Sequence, residues 1–445
     1  MPLTAYHCEL AWLGARQVER DVLVEIDGER ITAVTPGVPP PPGAVRLAGV
    51  TVPGLANTHS HCFHRALRSR VQRGGGTFWT WREQMYTVAD RLTPDTYHAL
   101  ARATYAEMAL AGITCVGEFH YLHHAPGGTP YAEPNVMAEA LVAAAADAGV
   151  RITLLDTCYL TGGIGRELTG PQLRFGDRDV GAWAERASAL AAEPGAPGVR
   201  VGAAVHSVRA VPPAAISAVA DWAAERDAPL HVHVSEQRAE NEACLAAYGM
   251  SPVAVLAAAG ALGRRTTAVH ATHLTGLDVT ALGGTGTCVA MCPTTERDLA
   301  DGIGPARELA DAGSPLSLGS DSHAVIDLFA EARAVELNTR LATERRGHLT
   351  AAELLRAATR HDTLGWPEAG RIAPGALADL VTLGWDSPRL AGVDADCAAE
   401  AVVFAATAAD VRSVVNAGRL VVTAGRHTTI DVPTALTAAV ADVFA

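Results

Sequence analysis

The chain has 445 residues, 49% of them hydrophobic, and a formal net charge of −13. That length suffices for one large domain and a smaller one, and the acidity argues against nucleic acid or an anionic membrane as partner. The 35 basic residues counted with lysine are all arginine, which excludes Schiff-base and pyridoxal-phosphate chemistry through a side chain. A lysine carbamate bridging two metals is excluded as well, so any metal site is expected to be mononuclear. No charged-then-apolar leader is present and no apolar run is long enough to span a bilayer, so a soluble cytoplasmic protein is expected. The eight cysteines are scattered without a C-x-x-C pair and are expected to be reduced and buried.

In chain order, Asp21-Val22-Leu23-Val24-Glu25-Ile26 and Arg30-Ile31-Thr32-Ala33-Val34 flank Asp27-Gly28, a strong hairpin signal. A proline-rich stretch follows. The segment from Val52 then ends in His59-Ser60-His61, two imidazoles at i and i+2 that face one side of an extended chain. Cys62 alternates to the opposite face, so no direct metal role is expected of it. Thr93-Pro94-Asp95 opens a helix with Thr as N-cap and Pro at N1, running to Ala111-Gly112. A strand at 113–119 comes next. The same alternation recurs with strands at 150–155, 199–205, 229–234, 267–270, 288–292 and 316–319.

With the unit after Val52, these strands make about eight βα repeats, which predicts an α/β fold with a (β/α)8 TIM-like barrel. An open doubly wound sheet explains less well why chemistry-bearing side chains end so many strands. Segments 378–383, 411–415 and 420–422 read as further strands. Neither terminal piece can bury a face alone, so the two are expected to form a small composite β-sandwich domain. The predicted organisation is 1–53 for its N-terminal part, 54–370 for the barrel and 371–445 for its C-terminal part.

The strand ends carry the chemistry. His231-Val232-His233-Val234-Ser235-Glu236, Val269-His270-Ala271-Thr272-His273 and Leu318-Gly319-Ser320-Asp321-Ser322-His323 each close an apolar run. Barrel active sites lie at the C-terminal strand ends. Three neutral imidazoles and a carboxylate suit zinc and tolerate iron or manganese, and such an ion activates water near neutral pH. Glu236, one turn past His233, is placed to move that water's proton.

The His-x-His after the first strand, the His-x-x-Glu at the fifth, the His at the sixth and the Asp at the eighth resemble the amidohydrolase superfamily in its mononuclear deaminase branch. The run Gly-Arg-Ile-Ala-Pro-Gly-Ala-Leu-Ala-Asp-Leu from Gly370 to Leu380 resembles that group's composite β domain. Four motifs narrow the resemblance to the formimidoylglutamate deiminases of histidine breakdown. They are Thr77-Phe78-Trp79-Thr80-Trp81-Arg82-Glu83, Gly117-Glu118-Phe119-His120-Tyr121-Leu122-His123-His124, His206-Ser207-Val208-Arg209-Ala210-Val211 and Cys292-Pro293-Thr294-Thr295-Glu296.

That resemblance implies one Zn2+ per chain, with Fe2+ or Mn2+ as alternatives, bound by His59, His61, His233 and Asp321. It implies acid–base work by Glu236 and His270 with Asp321 assisting, substrate contacts from Arg82, Tyr121, His206 and Arg209, and a homodimer. Two arginines suit a dicarboxylate substrate, because guanidinium forks bind carboxylates bidentately. His64 stands where the family typically has Gln; it is still a donor and is expected to contact substrate. The role of Glu118, His120, His123 and His124 is left open between hydrogen bonds that orient the ligands and simple lining of the next strand end, with lining the favoured expectation. The alternatives are a deaminase of an aromatic base such as guanine, and a non-catalytic scaffold on the same barrel. The first makes no demand for two arginines, and intact acid–base positions argue against the second.

Overall fold

The computed structural model describes residues 4–15, 17–73, 76–193 and 197–445. Four strands come first: β1 (Thr4–Ala11), β2 (Glu19–Asp27), β3 (Arg30–Thr35) and β4 (Val45–Pro53). The next eight are β5 (Leu55–Ser60), β6 (Ile113–His120), β7 (Arg151–Cys158), β8 (Val199–Val205), β9 (Leu230–Val234), β10 (Thr266–His270), β11 (Cys288–Met291) and β12 (Leu316–Leu318). They lie side by side in chain order, every neighbouring pair parallel. Parallel neighbours need long crossovers, and Ala-rich helices supply them. Their cover buries both faces of the sheet, as at every position of β6 and β7.

The helix Pro94–Leu110 shows how local sequence sets these units. Thr93 caps it by accepting from Thr96 N at 3.3 Å, and Pro94 occupies the first turn. Gly112 stops it at φ +86°, and its carbonyl accepts from Leu55 N at 3.0 Å. A Cβ there would meet Val381 Cγ1 at 2.8 Å, so the turn has room only for glycine.

The two ends of the parallel sheet meet and close the barrel. β12 is only three residues long, so side chains replace part of a ladder. A parallel bridge joins Ser60 to Asp321, and Asp321 N donates to His59 O at 3.1 Å. Ser320 N donates to Asn57 Oδ1 at 2.9 Å, Asn57 Nδ2 to Ser320 Oγ at 2.7 Å and Thr58 Oγ1 to Leu318 O at 2.8 Å.

The remaining strands, β13 (Leu380–Leu383), β14 (Val411–Asn416), β15 (Arg419–Thr423) and β16 (Arg426–His427), join β1–β4 in a second sheet of order β16-β15-β14-β13-β4-β1-β2-β3. Edge strand β3 is tied back through Ile31 N to Ala376 O and Ala378 N to Glu29 O, both 2.9 Å. The sheet thus folds over its own core, which includes Tyr6, Val24, Ile26, Leu380 and Val415. This is the composite β domain expected of the two termini. Two C-terminal helices were not expected from the strand pattern: Ala398–Phe404 and Val432–Phe444, the latter packed on Pro94–Leu110. All eight cysteines are free; seven are buried and Cys397 is exposed. Among the described residues no helix is long and apolar enough to cross a membrane.

A buried ionic knot joins sheet and barrel. Arg151, at the start of β7, donates through Nη1 to Asp379 Oδ1 at 2.9 Å and to Asn416 Oδ1 at 2.6 Å, and pairs through Nη2 with Asp379 Oδ2. Asn416 Nδ2 in turn donates to Thr114 O at 2.9 Å and Gly149 O at 2.7 Å. Removing one partner of such a pair strands a buried charge. Arg151→Met is therefore expected to lower the unfolding free energy by about 3–5 kcal/mol in urea denaturation. Arg151→Met combined with Asp379→Leu should recover part of that loss; no recovery would mean the ionic contact is not what matters.

Candidate active site

His59 lies near the end of β5, His233 near the end of β9, and His270 is the last residue of β10. Asp321 follows β12 by three residues. Closure of the barrel brings these ends together. His233 Nε2 is 3.0 Å from His59 Nε2 and 3.3 Å from His61 Nε2. Asp321 Oδ1 is 3.3 Å from His59 Nε2 and 3.5 Å from His61 Nε2. All four side chains are buried, and one ligand-type atom of each lies within 4.8 Å of the others. His61 itself is not on the strand: β5 stops at Ser60, and His61 precedes a short 3-10 turn, Cys62–Leu67. The alternation used to assign Cys62 a face therefore does not reach it, although Cys62 does lie outside this cluster.

The hydrogen bonds decide what the cluster can hold. His61 Nδ1 is 3.0 Å from Phe119 O, and His233 Nδ1 is 2.8 Å from His206 O. A carbonyl only accepts, so each Nδ1 carries the proton and each Nε2 presents a lone pair. Burial drives the pKa of His61 and His233 well below the usual imidazole value and that of His59 to about 4. Lone pairs facing one another at 3 Å beside a carboxylate repel, and a divalent cation turns that repulsion into attraction. The donor set thus fits a metal ion.

Beside the cluster stands a group of acids around one imidazole. His270 Nε2 is 3.8 Å from Glu236 Oε1 and 3.8 Å from Asp321 Oδ2, while its Nδ1 is 3.6 Å from Glu296 Oε1. Burial opposes its protonation, but Glu236, Glu296 and Asp321 outweigh it and carry the His270 pKa up to about 10. Burial also raises Glu236, with His270 pulling the other way. The backbone here is strained: His270 has φ +67° and Asp321 φ +41°. Such left-handed conformations away from glycine cost on the order of 1–3 kcal/mol and persist only where neighbours enforce them. Ala271 N donating to Val234 O at 3.1 Å and Asp321 N donating to His59 O at 3.1 Å are those restraints.

One cavity is lined by His61, His233, Glu236, His270 and Asp321 together with His64, Arg82, Tyr121, His206 and Arg209. Every residue singled out in the sequence for catalysis or substrate contact therefore reaches a common space, with His59 buried behind it. Arg82 sits on the first turns of the helix Phe78–Arg91, not in a loop, with its guanidinium 4.5 Å from the Trp79 ring centre. His64 Nε2 is 3.1 Å from Tyr121 OH. Burial pushes His64 down to about 3, and burial together with Arg209 and Arg82 holds His206 well below its usual value, so both are neutral hydrogen-bonding groups near pH 7.

Sequence reasoning assigned no role to several buried groups. Glu296, in the first turn of the helix Pro293–Asp298, accepts from Cys292 N at 3.0 Å and faces His270. The Cys292 thiol comes within 4.8 Å of His270 and Asp321. Glu118 accepts from Ser60 Oγ at 2.6 Å and from Cys62 N at 2.7 Å, bracketing His61, so it does more than line a strand end. His120 and His123 pack beside one another away from the cluster, as expected of lining residues.

The amidohydrolase family model matches residues 50–421. Formimidoylglutamate deiminase of Pseudomonas aeruginosa is 36% identical over 420 residues, 92% of each chain. 8-Oxoguanine deaminase of the same organism is 32% identical over 351 residues, 77% of this chain and 76% of its own. Atrazine chlorohydrolase of Arthrobacter aurescens TC1, crystallised with zinc, superposes with a TM-score of 0.88 at 24% identity, covering 99% of this chain and 100% of its own.

Zinc added to metal-free protein is expected to raise its unfolding temperature in calorimetry, corresponding to about 2.7 kcal/mol at a hundredfold excess over Kd. His233→Ala should remove that shift. An equal shift in the variant would mean zinc binds elsewhere.

Proposed function

The chain belongs to the amidohydrolase family and is a hydrolase of C–N bonds in its deaminase group, and from that premise we propose that it deiminates N-formimidoyl-L-glutamate to N-formyl-L-glutamate and ammonia. The observation that carries this reading is the pair of arginines, Arg82 and Arg209, lining the same cavity as the imidazole–carboxylate cluster. Two guanidinium groups match a substrate with two carboxylates, and anchoring both would hold the formimidoyl carbon against the cluster.

His59, His61, His233 and Asp321 would hold one zinc ion, which is one protein ligand more than a usual catalytic zinc. When bound, zinc supplies a Lewis acid that makes water nucleophilic near neutral pH. Glu236 is placed to take one proton from the attacking water and pass it to the amidine nitrogen as the oxygen adds to the formimidoyl carbon; transfer of the remaining hydroxyl proton of that adduct to the same nitrogen lets the C–N bond break, ammonia leave and the oxygen stay as the formyl oxygen. His270, protonated and held by Glu296, is placed to stabilise the negative charge that develops on the amidine nitrogen, and Asp321 to accept a hydrogen bond from the attacking water. Tyr121, His206 and His64 donate to the substrate's polar groups, and His64 in place of the usual Gln keeps a donor at that position.

A second reading, a deaminase of an aromatic base, draws support from the 8-oxoguanine deaminase relative and from the aromatic side chains lining the cavity, such as Tyr86, Tyr159 and Phe175. It gives neither arginine a substrate carboxylate to bind. Ammonia release by purified protein from N-formimidoyl-L-glutamate, against guanine and cytosine, tests the two readings directly. Release from a base alone would overturn the first.

Glu236→Gln should still bind one zinc per chain yet lose about a hundred- to ten-thousandfold in kcat, because only the proton transfer is removed. Two ions per chain at full occupancy in metal analysis would refute a mononuclear site. Arg82→Met and Arg209→Met should each raise KM for the dicarboxylate by about ten- to a hundredfold, the cost of an unpaired carboxylate at roughly 1.5–3 kcal/mol. A monocarboxylate analogue should lose less; equal losses on both would make the arginines structural.

A further inference from the structure

The two arginines of the cavity are held in opposite ways. Arg82 rests on ring faces, 4.5 Å from the centre of Trp79 and 5.5 Å from that of Tyr86. Aromatic faces steady a guanidinium but leave its whole charge in place. Arg209 instead has a carboxylate behind it: Glu240 Oε2 lies 3.6 Å from Arg209 Nε. Glu240 stands in the first turn of the helix Arg238–Tyr248 and is 1% exposed.

Among the described residues no side chain hydrogen-bonds either Glu240 oxygen, the backbone at Ser235 being its near donor, and Arg209 Nε has no hydrogen-bond partner. Burying an acid with so little support is costly unless its charge is used. Burial pushes Glu240 up to about 7, Arg209 drawing it down and Glu236 pushing it further up. No other cation is paired with it among the described ion pairs, and no described group accepts a hydrogen bond from the Nη nitrogens of Arg209, the residue that lines the cavity.

Resting on the dicarboxylate reading above, we propose that Glu240 is a resident counter-ion that sets the anion specificity of the cavity. It balances Arg209 from the Nε edge, so Arg209 selects a group whose two oxygens match its Nη fork, and a lone inorganic anion gains little there. Arg82, which is in none of the described ion pairs, supplies the unbalanced charge that draws anionic substrate in. Glu240 is thus a positioning residue acting through Arg209, and the two arginines have different jobs: one attracts, the other reads shape.

The test uses zinc-loaded protein and chloride as the probe, because chloride carries charge without a carboxylate's two oxygens. Binding of N-formyl-L-glutamate is measured by calorimetry as chloride replaces the bulky anion MES at constant ionic strength. Chloride should compete weakly in the wild type and about tenfold more strongly in Glu240→Gln, the scale expected for removing a charge a few ångströms away in a partly buried site. Glu240→Asp, which keeps the charge, should resist chloride as the wild type does. Equal chloride sensitivity of Glu240→Gln and wild type would overturn the proposal.

A second arm needs no change at Glu240. The kcat/KM of Arg82→Met should lose most of its dependence on ionic strength, whereas that of Arg209→Met should keep it; equal slopes would overturn the division of roles. The substrate reading fails separately, if wild-type protein binds N-formyl-L-glutamate no better than N-formyl-L-glutamine. In that event the chloride-induced shift in unfolding temperature still compares Glu240→Gln with wild type.

Discussion

Three imidazole lone pairs and a carboxylate do not gather at one point unaided, and much of the barrel's closing end serves to hold them there. Asp321 reaches the histidines because β12 meets β5, where the backbone bridge between Ser60 and Asp321 is reinforced by Asn57, Thr58 and Ser320. The carbonyls of Phe119 and His206 fix the imidazole tautomers, so His61 and His233 aim lone pairs inward. Glu118 grips the chain on both sides of His61 through Ser60 Oγ and Cys62 N. The left-handed conformations of His270 and Asp321 are the local strain that this convergence demands.

Beyond the cluster, the cavity carries both signs of charge. Acids surround His270, and of the two arginines one lies against rings and one against Glu240. His64 and His206 line the same cavity, and burial is the main cause that keeps them neutral. A ligand with anionic ends and a polar, protonatable centre fits this arrangement better than a flat neutral one.

The parts of the site that lie on strands were legible in the sequence, because alternation and strand-end position report where a side chain points. His59, His233 and His270 are of this kind. The motifs carried by resemblance brought Arg82 and Arg209 to notice, yet they do not report the helix under Arg82, since Thr77-Phe78-Trp79-Thr80 has an aromatic composition and no clear apolar period. Glu296 and Glu240 were not legible: each is one acid in the first turn of a helix, and that position is ordinarily solvated. What gives them meaning is a partner contributed by another strand end. The seam residues Asn57 and Ser320 are 263 positions apart, so no local pattern reports their pairing. The C-terminal helices escaped for a different reason, because alanine-rich segments flanked by short strands carry weak amphipathic signals.

The second sheet has a consequence for the order in which the protein is made. β4 pairs with β1 on one side and with β13 on the other, more than three hundred residues later. On the ribosome the first four strands emerge early with one edge open, and that edge must wait for nearly the whole barrel to be synthesised. Unpaired strand edges are sites of misassociation between nascent chains. The barrel faces the same delay at its own seam, because β5 is translated first among its strands and β12 last. Both closures depend on strands translated late, so neither sheet can be completed until β12 and β13 have emerged. A polypeptide truncated before β13 would leave β4 unpaired on that side and Arg151 without Asp379.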